Sequence, residues 1–154
     1  MAGAGTQVAV IGGGVVGCAV AHALARRSVE PLLLEAETGL ALGASGTNSG
    51  ILHTGFDSAP GELETRLILR AAELREQLLG DLGVPVLRCG ARLSPEGEEQ
   101  LQAVRRLAQN ARGNGVRALL GDDGSLEVPG ESVTDPVAFV HALAAAAGEG
   151  GAQL

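Results

Sequence analysis

One stretch constrains this chain more than any other: VAVIGGGVVGCAVAHAL, residues 8 to 24, an apolar run broken by glycines. Such a run can be a membrane span, a secretory signal, or a strand, turn and helix in succession. It is shorter than the ~20 residues that cross a bilayer, and Gly12, Gly13, Gly14 and Gly17 would make a poor spanning helix. The lead-in MAGAGTQ carries no Lys or Arg, so the positive start of a secretory signal is missing. What remains is a short buried strand from Gln7 to Ile11, a glycine turn, and a helix from about Gly14 to Arg27. A second apolar run, PLLLE from Pro31 to Glu35, follows as the next strand. The fold class is therefore α/β, opening on a βαβ unit.

The glycines carry chemistry as well as shape. Gly12, Gly14 and Gly17 fill the GxGxxG pattern between a predicted strand and a predicted helix, the setting of a Rossmann-like dinucleotide site. There the first glycine makes the tight turn, the second lets a pyrophosphate approach the backbone, and the third packs helix on strand. The unpaired N–H groups at the helix start then face an anion. Glu35 ends the second strand, near the distance of about 20 residues at which an acid accepts the ribose hydroxyls of a bound adenosine. A carboxylate there repels a 2′-phosphate, which favours FAD or NAD over NADP. Spacing alone leaves those two unresolved.

Length and charge narrow the classes further. At 154 residues the chain has room for one domain with a modest core. A net charge of −7 argues against a nucleic-acid or anionic-membrane surface. Cys18 and Cys89 stand at unrelated spacing, which suggests a reducing, cytoplasmic setting, a mitochondrial one left open, with both thiols packed in the core. The three histidines, His22, His53 and His141, form no HExxH and there is no CxxC, so no metal is expected. With two Phe and neither Trp nor Tyr, the chain has few aromatic anchors for a pure binding module.

Beyond the βαβ opening lies AETGLALGASGTNSGILHTGFDSAPG, a long glycine-rich connection of the kind that is usually functional or disordered. Pro60 to Leu82 reads as a helix with Leu63, Leu67, Ala71, Leu74 and Leu78 inward, a Glu62 to Arg66 pair and Gly83 as its stop. VPVLRCGARLS suggests a strand or a hairpin. Ser94-Pro95 opens another helix, with Leu101, Val104, Leu107 and Ala111 inward, ended by GNG. VRALL is a further candidate strand. Asp135-Pro136 caps and starts a helix with Phe139 or Val140, Leu143 and Ala147 inward. After it, GEGGAQL reads as a glycine turn and the start of another strand at Ala152.

VAVIGGGVVGCAVAHALARR, together with LLLEAETGLALGASGTNSGILHTGF, resembles the opening of FAD-dependent oxidoreductases of the D-amino-acid oxidase and glycerol-3-phosphate dehydrogenase superfamily. GASGTNSGILHTGFDSAPGELETRL is most similar to the 2-hydroxyglutarate and anaerobic glycerol-3-phosphate dehydrogenase branches, and VTDPVAFVHALAAAAGEGGAQL resembles the helix before that fold's third strand. The resemblance implies an FAD-binding domain of the glutathione-reductase type over residues 1 to 154, incomplete at its C-terminus. Residues 84 to 134 would then be a small part of a substrate domain. By the same resemblance Gly12, Gly14, Val15, Val16 and Gly17 cradle the FAD pyrophosphate, and Glu35 with Ala36 holds the adenosine. Ala44, Ser45, Asn48 and Ser49 line the approach to the flavin, and Gly50, Ile51, Leu52 and His53 pass beside its ring.

His53 is the candidate catalytic residue. In the dimethylglycine and sarcosine dehydrogenases of this superfamily a His at the matching place is tethered to the flavin, but the flanking SGILHTG differs from their pattern. A noncovalent role beside the ring and a structural role are the other readings. Ser45 and Ser49 lack a His/Asp pairing, which sets aside a serine hydrolase, and Asp57 serves either as acid or base or in a turn. The family's full length includes more sheet and a β-rich substrate domain, and LGDDGSLEV is shorter than the family's usual connection. The implied activity is transfer of a hydride from a small 2-hydroxy acid, amino acid or glycerol phosphate to flavin, with an unknown electron acceptor. A noncatalytic isoform that keeps dinucleotide or partner binding is the alternative, and an NAD-binding module leaves residues 43 to 56 unexplained.

Overall fold

The order of elements is β1 (Ala9–Ile11), α1 (Val15–Ala25), β2 (Leu32–Leu34), β3 (Ile51–Leu52), α2 (Leu63–Asp81), β4 (Val86–Leu87), β5 (Ala91–Leu93), α3 (Gly97–Gly113), β6 (Leu119–Leu120), β7 (Leu126–Val128), β8 (Ser132–Thr134) and α4 (Pro136–Glu149). This is a computed structural model, and it describes residues 8–154. Gln7, the expected first residue of the opening strand, lies outside the described residues. The chain divides into two compact units: residues 1–50, 79–85 and 135–154, and residues 51–78 with 86–134.

In the first unit β1 and β2 run parallel, with Ala9, Val10 and Ile11 opposite Leu32, Leu33 and Leu34. Helix α1 makes the crossover between them, as a parallel pair requires. Helix α4 packs along α1, and both are rich in small residues, so their backbones approach closely. A Cβ on Gly150 would lie 2.8 Å from the Ala25 Cβ. Cys18, Leu33, Ala41, Val140, Leu143 and Ala144 form the core between them. Of the two inward candidates in α4, Val140 is the buried one, while Phe139 packs at the margin. Burial of side chains such as Leu143 and Val140 contributes roughly 1.5–3 kcal/mol each. Asp135 caps α4 as its sequence suggests, accepting from the N–H groups of Val137 and Ala138 at 2.9 and 3.0 Å. The segment after α4 turns back so that Gln153 bridges Leu32 in parallel, alongside β2, where the sequence places a new strand.

The second unit holds two small antiparallel sheets, ordered β3-β8-β4 and β5-β7-β6. Here the strand-or-hairpin reading of residues 84 to 94 is corrected. β4 and β5 do not pair with each other: β4 pairs with β8 and β5 with β7. Gly90, with φ of 66°, makes the break between them. The LGDDGSLEV stretch closes a hairpin from β6 to β7, in which Asp123 accepts from the Ser125 N–H and hydroxyl at 3.0 and 2.6 Å. Phe56, Val104, Ala111, Leu126 and Val128 form this unit's core, so α3 buries the face its spacing implies. Its first residue is Gly97, with Glu96 at the N-cap, so Ser94-Pro95 leads into the helix and does not open it.

Helix α2 is where the periodicity misleads. Leu63, Leu67 and Leu74 lie exposed, while Thr65 is buried and Ile68, Leu69 and Ala72 are half-buried. The helix carries two apolar stripes, and the packed one holds the Thr65 hydroxyl, which donates to the Ala59 carbonyl at 2.5 Å. The expected Glu62 to Arg66 pair gives way to Arg70 with Glu73 and Arg88 with Glu76. Gly83 does stop the helix: it sits at φ of 66°, its N–H donates to Gly80 and that of Val84 to Leu79, which is a Schellman closure. Among the described residues no helix is long and apolar enough to cross a membrane.

Candidate functional site

The first unit carries the glycine turn. Gly12 leaves β1 at φ of 107°, a conformation that side chains with a Cβ rarely adopt, and its N–H donates to the Leu34 carbonyl at 2.7 Å. That bond ties the turn to the end of β2. A Cβ on Gly17 would lie 1.9 Å from the Gly12 carbonyl oxygen, so only glycine lets α1 start this close to the strand. Gly14 is the N-cap of α1 in an extended conformation, with no side chain capping it. Ser45 reaches in from the following loop, and its hydroxyl accepts from the Val15 N–H at 2.9 Å. The start of α1 thus offers backbone N–H groups, and the dipole behind them, to an anion.

Glu35 lies beside the same turn. Its Oε2 accepts from the Gly13 N–H at 2.5 Å, and its Oε1 from the N–H groups of Ala36 and Glu37 at 2.7 and 3.0 Å. The Glu37 N–H first, then that of Gly13, with Ala36 contributing less, hold the carboxyl below its ordinary range against partial desolvation. It is therefore an ionised acceptor, oriented before any ligand arrives. Gly13, which the GxGxxG pattern leaves free, is as constrained as its neighbours. A Cβ there would lie 2.4 Å from Leu40 Cδ2 and 3.0 Å from Glu35 Oε2. Its carbonyl accepts from the Ala41 N–H at 3.1 Å and faces the Cys18 thiol at 3.6 Å. Burial, and then the Glu35 charge, push that thiol upward, so Cys18 is a packing residue. Cys89, expected in the core as well, is exposed.

The loop after β2 folds back on the turn. Ala41 is buried at φ of 61°, and Asn48 accepts from the Gly50 N–H at 2.8 Å, closing an Asx turn. The first unit therefore brings together Gly12, Gly14, Val15, Val16, Gly17, Glu35, Ala36 and Ser45. Ala44, Asn48 and Ser49 are exposed on the same loop, which ends at the buried Gly50.

Ile51, Leu52 and His53 belong to the second unit. Ile51 and Leu52 form β3 opposite Val133 and Ser132 of β8, and His53 follows at the strand's end. Its side chain is 45% exposed, and its Nδ1 stands 3.6 Å from Oε2 of Glu131, whose side chain is 5% exposed. The other carboxylate oxygen accepts from the Thr54 N–H and hydroxyl at 2.6 and 2.7 Å. Arg75 of α2 donates to the carbonyls of Leu52 and His53 at 2.6 and 2.7 Å, and to that of Gly130 at 3.4 Å. One histidine thus stands on a backbone held by a guanidinium, beside a buried carboxylate. Glu131 and Arg75 escape a reading of spacing, because Glu131 meets Thr54 across 77 positions.

A parallel βαβ unit whose helix starts at a glycine turn, with an acid closing its second strand, defines a dinucleotide-binding protein. The FAD-dependent oxidoreductase family matches residues 7–154, and the chain belongs to that family, whose cofactor is FAD. It is 30% identical to glycerol 3-phosphate dehydrogenase of Caloramator mitchellensis over 113 residues, 73% of this chain and 24% of that one. It is 32% identical to mitochondrial L-2-hydroxyglutarate dehydrogenase of Nematostella vectensis over 115 residues, 73% of this chain and 25% of that one. Glycine oxidase of Geobacillus kaustophilus superposes with a TM-score of 0.84 at 24% identity, over 95% of this chain and 45% of the other. L-alpha-glycerophosphate oxidase of Mycoplasma pneumoniae, with FAD bound, gives 0.84 at 26% identity, over 95% and 43%. The chain spans about a quarter of the length of the curated relatives it matches.

Proposed function

We propose that this chain is the FAD-binding part of a flavoprotein dehydrogenase or oxidase acting on a small 2-hydroxy acid, amino acid or glycerol phosphate. The observation that carries the reading is the first unit's turn: Gly12, Gly14 and Gly17 leave the start of α1 open while Glu35 is held ionised beside it. The residues fit the group. Gly14, Val15 and Val16 hold the pyrophosphate at the start of α1, and Glu35 with Ala36 takes the adenosine ribose. Ser45, on the Val15 N–H, sits at the position a phosphate oxygen would take over, and Ala44, Asn48 and Ser49 line the way onward. When bound, FAD supplies the acceptor for the hydride that leaves the substrate's α-carbon.

Ile51, Leu52 and His53 of the second unit, which follow Gly50 at the end of the first unit's loop, we assign to the flavin ring. His53 is the candidate group for taking the proton from the substrate's hydroxyl or amine, and its exposed imidazole leaves a nitrogen free to do so. Residues 84–134 we read as a small part of a substrate domain. We place the chain in a reducing compartment, the cytoplasm or the mitochondrion, on its two unpaired cysteines.

The test is FAD binding by wild type and Glu35→Ala. Loss of the hydrogen bonds between the charged carboxylate and the ribose should weaken FAD roughly ten- to a hundredfold. An unchanged dissociation constant for FAD, or a preference for NAD, would overturn the assignment.

A further inference from the structure

Glu131 is a buried carboxylate that the flavin assignment does not use. A buried carboxylate needs partners, and the structure shows how its two oxygens divide the work. Oε1 is occupied twice by Thr54, from its N–H and its hydroxyl. Oε2 faces His53 Nδ1 at 3.6 Å, the one ion-pair contact Glu131 makes among the described residues. That separation is longer than a hydrogen bond, as the contacts of a histidine base often are before a ligand is bound. The backbone on both sides is fixed: Arg75 binds the carbonyls of Leu52, His53 and Gly130, and the Gly90 N–H donates to the Glu131 carbonyl at 2.9 Å.

We infer that Glu131 is a positioning residue for His53: its Oε2 accepts a hydrogen bond from Nδ1–H, keeping the proton on Nδ1, and so presents Nε2 as the unprotonated nitrogen. Which nitrogen of a neutral histidine carries the proton is set by the partner of the other. A carboxylate only accepts, so a neutral imidazole meeting it must donate through Nδ1. The arrangement follows the logic by which an acid behind a histidine sets the tautomer and orientation of a base. The inference deepens the reading of His53 as the proton-accepting group and rests on it for its purpose, though not for its geometry.

The isosteric variant Glu131→Gln makes a sharp test. The Thr54 N–H can only donate, so the amide oxygen must take the place of Oε1 and the amide NH2 must face His53. An NH2 group there donates to Nδ1 and moves the proton to Nε2. The measurement is the pair of imidazole 15N shifts of His53, read through its ring carbon protons at a pH where the ring is neutral, on the chain with FAD added. Wild type should show the Nδ1–H tautomer, and Glu131→Gln the reverse, the two 15N resonances exchanging positions. A wild-type spectrum with the proton on Nε2 overturns the inference, and so does a variant spectrum identical to wild type. Should the variant fail to fold, the wild-type spectrum still decides. FAD retention by the same wild-type sample tests the flavin reading separately, so failure of one is distinguishable from failure of the other.

Discussion

The turn at residues 12 to 17 and the cluster around Glu131 are both built on a carboxylate that gathers hydrogen-bond donors, yet they arise differently. Glu35 takes its three N–H partners from Gly13, Ala36 and Glu37, the last two being the residues that directly follow it. Glu131 takes its partners from Thr54, far away in the chain. The first carboxylate is exposed and the second buried. A ligand can therefore reach the first, while the second is buried against Thr54, away from any ligand, and serves to hold another side chain. Local geometry makes a binding group, and long-range geometry makes a support.

Steric need at the turn gives the largest effect that would break this contrast. Gly17→Val places a branched side chain where even a Cβ would lie 1.9 Å from the Gly12 carbonyl. Overpacking of this kind costs typically 1–3 kcal/mol, and here the displaced backbone is the phosphate turn itself. Complete loss of bound FAD is expected, measured as flavin per protein after gel filtration. Flavin content equal to wild type would show that the turn does not hold the cofactor.

A change in the other unit comes next. Leu126, fully buried on β7 in the second core, should cost about 2–5 kcal/mol when truncated to Ala. The loss should appear in the denaturant midpoint, and the Glu35 site should keep its affinity for FAD in whatever fraction remains folded. Loss of FAD affinity in the folded fraction would mean that the turn depends on the second core.

How far the sequence discloses these regions follows from the range of their contacts. The Asp135 cap and the Gly83 stop rest on residues within a few positions of one another, and the βαβ opening, though Ala9 pairs as far off as Leu32, is built from contiguous strand, turn and helix signals; all three are legible in the chain. Gly13 was open to inference only in part: GGG is visible, but the Leu40 and Glu35 side chains that forbid a Cβ there come from the next strand and loop. The strands β3, β7 and β8 are two or three residues long, too short for alternation to mark them. Glu131, in PGES, looks like part of a polar turn, and nothing local shows that it is buried.

Acidification should separate the two carboxylates by a smaller effect. Glu35 has its folded pKa lowered from an ordinary 4.5, so its contribution to stability is complete above that value and is lost as pH falls through the folded one. Comparison with Glu35→Gln, which does not titrate, isolates this group from the other acids. The gap in Tm between wild type and the variant should be constant near neutral pH and shrink as the pH falls below the ordinary carboxylate range, through the lowered folded pKa. A gap that persists unchanged at the acid end would show that the charge contributes nothing through the Gly13, Ala36 and Glu37 N–H groups.

The smallest expected effect is the most discriminating for helix α2, where sequence periodicity and structure choose opposite faces. By spacing, Leu67 belongs to an inward stripe with Leu63 and Leu74; in the fold it is 61% exposed, while Leu69 is half-buried. Leu69 Cδ2 comes within 3.3 Å of the position a Cβ on Gly55 would take, so it packs on the segment that follows His53. Removal of an exposed side chain changes stability by about 0.5 kcal/mol or less, whereas truncation of a packed leucine costs several times that. Leu67→Gln should therefore leave the unfolding midpoint nearly unchanged and Leu69→Ala should lower it. Because Leu69 lies beneath Gly55, its loss should also broaden the His53 ring signals, which Leu67→Gln should leave sharp. If Leu67→Gln proves the more damaging of the two, then the outer stripe of α2 is covered in the working protein, and the face that spacing selects is the one that is buried there.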